Sequence, residues 1–574
     1  QRQLEAAPRA APLWYLLAMV RLARQEPNEA EQALRKVIEI EPKHSGAYLA
    51  LSRLYASTGK ESEALAKLEA ALQANPRDLV SLVAVGAVYQ KRGETDKARA
   101  RYEEALKLKP DFAAAANNLA TIYAETDLER AYALARQARE AAPDDPYVAD
   151  TLGWILQRRG EYRRALPLLR ESAEKLPEHP EVLYHLGRTW AMLGDEGAAT
   201  EALLKALMGA VPFAEAEAAG RLLDLLSTNP ETADAEKTWA QLQEALAKTP
   251  DDLFLLWRAG QFAARRGDSA AARALLEKAR KRDAGFVPAA VALAELYNGP
   301  LAQPRQALEL AEQAVEAAPG APQPAATLGW IAFRQRDYPR AFNLLQEAKQ
   351  RRPDSAVIAV RAAWTAYAMG RTEQAAEDMR RALQNAPAPA ERREAERFLE
   401  FVAPANEGPT PEAVQRALAE DPTYLPALMR RAALEEQRGD RAAAIKTCEA
   451  LTAQYPFFAP AFRQLLLLHA AGETATEAAM AVGRKARELL PLDPQVAKAL
   501  GILAQRRRDY EGSARLLQEA ARSLTNDAEV VFFQGLAAKQ TGKPEEARAL
   551  LRRALELQAD APWRAQAQAA LDAL

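Results

Sequence analysis

The sequence predicts an all-α fold, an α-solenoid built from stacked pairs of short helices. Two observations lead to this fold class. A proline returns every 34 residues and keeps that period after a single deletion, at Pro8, Pro42, Pro76, Pro110, Pro143 and Pro177. The composition is rich in Ala, Leu, Glu, Arg and Gln, which favour helices, and no stretch alternates as a strand would. A regular short period is typical of repeat proteins, in which each unit stacks on its neighbours and extends a binding surface.

A second, longer period divides the chain. The motif Thr151-Leu152-Gly153-Trp154 recurs as Thr327-Leu328-Gly329-Trp330 and, in weaker form, as Ala499-Leu500-Gly501-Ile502, so that the glycines are 176 and 172 residues apart. We therefore predict three duplicated blocks, residues 1–228, 229–403 and 404–574. Each block is expected to end in a short amphipathic helix that covers the apolar edge of its last repeat, at 213–226, 390–402 and 562–574. The junctions are expected near 227–230 and 404–409.

Composition and charge exclude several classes of protein. With 76 Lys and Arg against 78 Asp and Glu, the formal net charge is −2, so the whole chain has no electrostatic footprint for nucleic acid. The single cysteine, Cys448, excludes an intramolecular disulfide, and its place on an apolar helix face predicts a buried thiol. No stretch approaches the roughly 18 apolar residues of a membrane-spanning helix. Because the chain begins at Gln1 and inside a repeat, we expect a fragment or processed form, with any anchor in the missing N-terminus.

No pattern of catalytic residues occurs. The four histidines, His44, His179, His185 and His469, include no pair at the i, i+4 spacing that puts two metal ligands on one helix face. The sequence also lacks a glycine-rich phosphate loop and a Gly-x-Ser-x-Gly nucleophile elbow. We therefore predict no enzymatic activity, no metal and no cofactor.

The unit after Pro76 illustrates the repeat. Its residues occur at helical spacing on two facing helices joined by a turn at Gly93: Leu82, Val85, Gly86 and Tyr89, then Ala98, Tyr102 and Ala105. This unit resembles the tetratricopeptide repeat (TPR), a helix–turn–helix of 34 residues, and the resemblance covers nearly the whole chain. It implies a right-handed superhelix in which the first helix of each unit lines a concave face.

The resemblance places three groups of aromatic and arginine side chains on that concave face. They are Asp150, Trp154, Arg158, Tyr184 and Arg188; Phe254, Trp257 and Arg258; and Trp330, Arg334, Arg361, Trp364 and Tyr367. Trp, Tyr and Arg dominate the energetics of protein interfaces, so these residues are our candidates for binding a partner. The alternative for each Trp is that its ring packs between helices, with the arginines as ordinary solvated charges.

These observations predict a non-catalytic scaffold or adaptor that presents a concave TPR groove to one or more proteins or peptides. The Thr151–Trp154 motif and the following Tyr184-His185-Leu186-Gly187 are similar to bacterial multi-repeat TPR proteins of exopolysaccharide export and envelope protein sorting. That similarity favours a periplasmic or outer-membrane location over a cytoplasmic one. Two alternatives stay open: a permanent structural subunit of a large complex, and a regulatory region cut from a larger enzyme such as a glycosyltransferase or peptidase.

Overall fold

The computed structural model describes residues 7, 9–209, 211–228, 235–385, 387–404, 408–558 and 560–574. Within these ranges the chain forms 33 helices and no β-strand, which confirms the predicted all-α class. Grouped two by two in chain order, with a last single helix, they are Ala11–Ala23 and Pro27–Ile40; Ser45–Ser57 and Glu61–Ala74; Leu79–Lys91 and Thr95–Leu108; Ala113–Tyr123 and Leu128–Ala141; Pro146–Arg158 and Tyr162–Lys175; Pro180–Met192 and Glu196–Met208; Ala216–Ser227 and Ala235–Lys248; Leu253–Arg265 and Ser269–Arg282; Val287–Asn298 and Pro304–Ala317; Pro322–Arg334 and Tyr338–Arg351; Ala356–Ala368 and Thr372–Gln384; Pro389–Val402 and Pro411–Glu420; Leu425–Gln437 and Arg441–Gln454; Ala459–Ala470 and Glu477–Leu489; Pro494–Arg506 and Tyr510–Ala521; Ala528–Gln540 and Pro544–Leu557; and Arg564–Asp572.

Each repeat packs one face of its first helix against one face of its second. In the pair Leu79–Lys91 and Thr95–Leu108, the residues that the sequence places on facing sides are buried: Leu82, Val85, Gly86 and Tyr89, then Ala98, Tyr102 and Ala105. Gly93 joins the two helices with a φ of +75°, a left-handed conformation that glycine adopts without a steric cost. The predicted helix–turn–helix unit is confirmed.

Glycines in the first helices let the two helices of a repeat approach closely. A Cβ atom on Gly153 would lie 2.7 Å from Cγ of Leu169, and one on Gly329 would lie 2.8 Å from Cγ of Leu345. The same pairing, sixteen residues apart along the chain, recurs at Gly187 and Leu203, Gly260 and Leu276, Gly501 and Leu517, and Gly535 and Leu551. Because the contact also occurs outside the Leu-Gly-Trp motif, it belongs to the single repeat and does not distinguish a duplicated block.

The described residues form two compact units. The first holds residues up to 228 together with 241–259 and 277–288, and the second holds 235–240, 260–276 and the described part of 289–574. The division passes through helices, for example Leu253–Arg265, rather than between them. The expected junctions fall partly on residues 229–234 and 405–407, outside the described residues, as does Pro8 at the start of the proline period. The division into three blocks stays a prediction.

The helices expected at the ends of the blocks are present as Ala216–Ser227, Pro389–Val402 and Arg564–Asp572. Each buries an apolar face: Ala219, Leu222 and Leu226; Ala395, Phe398 and Phe401; Ala567 and Ala570. Phe398 belongs to a cluster of buried side chains that extends from Tyr338 before it to Phe458 and Ala461 after it. In the second unit, the helix Pro389–Val402 therefore connects the apolar cores on its two sides.

The single cysteine lies in the core of the second unit. Cys448 has no exposed surface and packs with Ala432, Ala444 and Leu465, which confirms the predicted buried thiol. Burial raises the pKa of the Cys448 thiol to about 12, and the nearby carboxylate of Glu435 acts in the same direction.

Cys448 is expected to be inert towards a disulfide reagent such as dithiobis(nitrobenzoic acid) in the folded protein and to react fully in concentrated guanidinium chloride. Only the thiolate reacts, and at pH 8 a thiol with a pKa of about 12 is ionised in about one molecule in ten thousand. The absorbance of the released thiolate measures the reaction. Stoichiometric labelling within minutes in the absence of denaturant would contradict the buried position.

Candidate partner-binding surfaces

The first predicted group lies on two successive first helices of the first unit, Pro146–Arg158 and Pro180–Met192. The indole of Trp154 stacks on the imidazole of His185, with ring centroids 4.1 Å apart and an interplanar angle of 18°. Tyr184 lies 6.1 Å from the same indole, and the guanidinium of Arg188 lies 5.4 Å from its centroid. Trp154 stays partly exposed, whereas Tyr184 is buried. The structure thus brings these side chains together around one partly exposed indole.

A carboxylate holds the imidazole that packs against Trp154. Both carboxylate oxygens of Asp150 lie 3.0 Å from Nδ1 of His185, and both side chains are largely buried. Asp150 therefore orients His185, which in turn supports the indole. His185 was not among the predicted residues of this surface, and its position 35 residues after Asp150, about one repeat, is the signal that could have found it.

The two arginines of this group differ in their partners. Arg158 forms an ion pair with Glu125, in the turn of the preceding repeat, although it shares a helix with Trp154. The guanidinium beside the indole is that of Arg188 from the next repeat. Burial raises the pKa of the Tyr184 phenol, and the charge of Arg188 opposes that shift. Arg188 is therefore the better candidate for contact with a partner.

The aromatic members of the second predicted group are buried in the first unit. Trp257 is 2% exposed, and its ring packs edge-to-face against Phe286 at 6.1 Å. Phe254 packs against the same Phe286 at 5.2 Å. These contacts give Phe254 and Trp257 a packing role, and neither ring is available to a partner.

Arg258, the charged member of the second group, is 4% exposed. It donates through Nε and Nη2 to the backbone carbonyls of Leu225 and Leu226, at 2.6 and 2.7 Å, where the helix Ala216–Ser227 ends. A cation at this position satisfies the last carbonyls and the negative end of the helix dipole. Burial lowers the pKa of Arg258, and Glu196 at 3.4 Å acts in the opposite direction. We therefore leave the second group out of the proposed surfaces.

The third predicted group lies in the second unit, on the first helices Pro322–Arg334 and Ala356–Ala368. The indole of Trp330 stacks on Phe333, with centroids 4.8 Å apart and an interplanar angle of 8°. Arg361 lies 5.8 Å from the centroid of Trp330 and forms an ion pair with Glu295 at 2.8 Å. Trp330 and Arg361 stay partly exposed, and Arg334 is exposed.

The two aromatic members on the second of these helices differ in exposure. Trp364 is partly exposed and packs edge-to-face against Phe398 at 5.3 Å and Tyr424 at 5.9 Å. Tyr367 is 4% exposed and lies in the core beside Phe458, at 5.4 Å. Burial raises the pKa of the Tyr367 phenol above its ordinary value. Trp364 can therefore contact a partner, and Tyr367 supports it from beneath.

The exposed members of the third group line a cleft of about 630 Å³. A volume in the range of about 300–1,000 Å³ is typical of ligand sites. The cleft also includes residues that the sequence interpretation did not select, chiefly Glu391, Glu394, Arg397 and Tyr424, because carboxylates on exposed helices are too common to single out. Its lining is Trp330, Phe333, Arg334, Arg336, Tyr338, Val357, Val360, Arg361, Trp364, Glu391, Glu394, Arg397, Asp421, Thr423, Tyr424, Leu425 and Tyr455.

Several buried polar atoms in this cleft have no hydrogen-bond partner among the described residues: Glu391 Oε2, Glu394 Oε1, Tyr424 Oη and Arg361 Nη1. A buried polar atom left without a partner costs about 1–3 kcal/mol, so most such atoms in proteins are satisfied. Burial raises the pKa of the Glu394 carboxyl, and the charge of Arg397 and a hydrogen bond from Trp364 lower it. The cleft thus contains buried polar atoms without a hydrogen-bond partner among the described residues, beside partly exposed aromatic rings.

Neither a membrane-spanning helix nor a metal-ligand cluster occurs in the part of the chain that the structure describes. This part contains no helix that is long and apolar enough to cross a membrane. It also contains no group of three or more His, Cys, Asp and Glu side chains placed to hold a metal ion.

Comparison with protein families decides the identity of the repeat. Family models described as tetratricopeptide repeat match residues 21–85, 151–215, 301–356, 426–457 and 498–562, and one described as TPR repeat matches residues 86–127. These matches together cover more than half of the chain. The chain is a tetratricopeptide repeat protein. The predicted TPR resemblance and the α-solenoid class are therefore confirmed.

Individual relatives of this TPR protein share the repeat over different lengths. A TPR repeat-containing protein of Pseudomonas aeruginosa is 39% identical over 82 residues, which is 14% of this chain and only 13% of that protein. The solved structure of Pseudomonas aeruginosa pilF is 20% identical with a TM-score of 0.31 and covers 40% of this chain and 97% of that chain. A chain of the APC/C hetero-tetramer Cut9-Hcn1 is 13% identical with a TM-score of 0.31 and covers 98% of this chain and 96% of that chain. These likenesses do not support a similarity to exopolysaccharide export proteins.

Proposed function

We propose that this TPR protein is a non-catalytic scaffold that binds other proteins or peptides at two places, the surface around Trp154 and the cleft around Trp330 and Trp364. The observation that carries the proposal is that these three indoles, on first helices of repeats, stay partly exposed, and that Trp154 and Trp330 each lie beside a guanidinium. Exposed aromatic clusters mark interaction sites on soluble proteins, and Trp, Tyr and Arg supply most interface energy. TPR solenoids are typically non-catalytic and bind peptides or proteins.

We also propose that the partner belongs to a bacterial envelope export or assembly system, and that the protein works in the periplasm or at the outer membrane. The support is the sequence similarity of the Thr151–Trp154 and Tyr184–Gly187 motifs to TPR proteins of such systems. Fractionation of cells that carry the full-length gene, followed by immunodetection, tests the location. Recovery of the protein in the cytoplasm alone would contradict this part of the proposal.

The two alternatives predict different results from purification with endogenous partners. A permanent structural subunit would co-purify with a fixed set of proteins in constant stoichiometry. A regulatory region would be followed or preceded by a catalytic domain in the full gene. A transient adaptor would give partial occupancy that falls on dilution.

Trp154→Ala and Trp330→Ala are each expected to weaken partner capture by about 30-fold or more, with helix content unchanged. Truncation of a central interface Trp typically costs about 2 kcal/mol or more, which corresponds to about 30-fold in affinity. Quantitative affinity capture of the endogenous partner, beside a circular-dichroism melt of each variant, provides the measurement.

Trp239→Ala is the matched control for these variants. Trp239 is also partly exposed and has a guanidinium beside it, that of Arg266 at 5.7 Å, but it lies outside both proposed surfaces. Its truncation should leave capture unchanged. A lower melting temperature for Trp154→Ala and Trp330→Ala, without a specific loss of binding, would show that these rings only pack between helices and would contradict the proposal.

A further inference from the structure

One end of the cleft presents carboxylates with unfilled hydrogen-bonding capacity. Glu391 and Glu394 lie one turn apart on the helix Pro389–Val402, and none of the described residues donates to Glu391 Oε2 or Glu394 Oε1. Tyr424 is only 5% exposed, and burial together with the nearby charge of Glu394 raises the pKa of its phenol. The Tyr424 hydroxyl also has no hydrogen-bond partner in the described chain. An ionised carboxylate only accepts hydrogen bonds, and because burial raises the pKa of Glu394, a positively charged donor beside it would favour the ionised form.

Aromatic rings surround the same end. The centroid of the Trp364 ring lies 5.9 Å from that of Tyr424, and Trp330 lines the same cleft. Cations are attracted to aromatic faces by the ring quadrupole. The cleft already shows this preference within the chain, because Arg397 lies 4.0 Å from the centroid of Tyr424 and Arg361 lies 5.8 Å from that of Trp330. A positively charged donor therefore fits this end better than a neutral one.

No ion pair to Glu391 or Glu394 forms among the described residues, although burial raises the pKa of Glu394 and the charge of Arg397 acts against that shift. Arg361 pairs with Glu295, and Arg397 donates to a backbone carbonyl at 3.3 Å. Arg334 and Arg336 are exposed where the helix Pro322–Arg334 ends, and neither forms an ion pair with Glu391 or Glu394 among the described residues. Arg361 Nη1 is a buried donor that needs an acceptor, which a peptide carbonyl can supply.

We propose that this cleft binds an extended peptide segment of a partner and holds a lysine or arginine side chain of that segment between Glu391, Glu394 and the Trp364 and Tyr424 rings. A main-chain carbonyl of the segment accepts a hydrogen bond from Arg361. This inference rests on the proposed function, because it names the chemistry of the occupant at one of the two proposed surfaces. The occupant is thus a basic peptide, although the whole chain has a net charge near zero.

The test uses a phage-displayed library of random linear peptides selected on the purified full chain. Enriched peptides are expected to share a Lys or Arg at one position. Replacement of that residue by norleucine in a fluorescein-labelled synthetic peptide is expected to weaken binding by at least about tenfold in fluorescence anisotropy, because a charge-assisted hydrogen bond is lost.

A double-mutant cycle then locates the contact. The variant Glu391→Gln/Glu394→Gln is expected to bind the basic peptide at least about tenfold more weakly and the norleucine peptide equally well. Glu396→Gln is the matched control, since Glu396 lies on the same helix but is exposed and outside the cleft. The norleucine substitution is made in the peptide, so that arm of the test does not depend on the stability of any variant, and equal binding of the norleucine peptide shows that the Glu391→Gln/Glu394→Gln variant is folded.

Three outcomes would overturn the inference: enrichment of acidic peptides whose binding is lost in Arg334→Gln, peptides that tolerate norleucine, or no peptide enriched over the Glu391→Gln/Glu394→Gln variant. The proposed function is judged separately by Trp330→Ala. If Trp330→Ala abolishes capture of the endogenous partner while Glu391→Gln/Glu394→Gln retains it, the cleft is a docking surface but its occupant is not a basic peptide. If neither variant loses capture, both proposals fail for this cleft.

Discussion

Trp257→Ala is expected to destabilise the first unit by roughly 3–5 kcal/mol, the usual cost of truncating a buried Trp. The ring is 2% exposed, packs against Phe286 and lies 4.0 Å from the guanidinium of Arg258. Its loss leaves a large cavity and also removes the surface on which that buried guanidinium rests. Hydrogen exchange of peptides from 216–227 and 253–259, measured by mass spectrometry, should show the loss of protection.

Trp154→Ala is the comparison variant, because it tests whether a partly exposed Trp behaves differently from the buried Trp257. Trp154 occupies a similar place in the sequence, on a first helix of the first unit and near arginines, but it is partly exposed. Its truncation should change stability much less than that of Trp257, while only Trp154 should affect binding. Equal destabilisation by the two variants would mean that both rings are core, and a Trp257→Ala protein with unchanged exchange would contradict the packing described here.

The repeats themselves could be predicted from the sequence because each one is specified by local features. A small residue in the first helix, a glycine such as Gly93 in the turn and a proline after the second helix recur in phase, and most contacts of a repeat are made within it or with the next repeat along the chain. Periodicity therefore fixes the helices without any knowledge of distant contacts. The same reasoning placed Cys448 correctly in the core.

The environment of each aromatic residue could not be predicted in this way. Trp257 and Trp330 are alike in sequence terms, yet Phe286 and Arg258 enclose the first, and the second stacks on Phe333 at the edge of a cleft. The difference arises where the repeat departs from its standard length, since Arg258 reaches the end of the helix Ala216–Ser227. Such contacts depend on tertiary packing that a repeat pattern does not encode.

The carboxylates of the cleft were missed for a related reason. Glu391 and Glu394 are two among 78 acidic residues, and nothing in the sequence separates them from solvated charges. Only the packing of the helix Pro389–Val402 beside Tyr424 shows that one oxygen of each is buried without a partner in the described chain. A site of this kind is visible through its unfilled hydrogen bonds and not through a motif.

Phe398→Ala is expected to destabilise the second unit by roughly 3–5 kcal/mol. Phe398 has no exposed surface and packs edge-to-face against Trp364 at 5.3 Å and Tyr367 at 5.2 Å. Its cluster continues to Leu425 and Phe458 on the far side of the expected block boundary. Hydrogen exchange should therefore accelerate in both 356–384 and 425–470, because one apolar core serves the repeats on both sides.

Phe457→Ala is the control for this variant, and the pattern of exchange in Phe398→Ala tests whether the predicted blocks unfold independently. Phe457 is 45% exposed, and a surface substitution usually changes stability by no more than about 0.5 kcal/mol. If Phe398→Ala accelerates exchange only in 356–384, then residues 229–403 and 404–574 unfold independently, as separate duplicated blocks would. If exchange accelerates in both 356–384 and 425–470, the helix Pro389–Val402 couples residues 229–403 to residues 404–574. The two predicted blocks then unfold as one cooperative unit, and the cleft at Trp364 and Tyr424 depends on both of them.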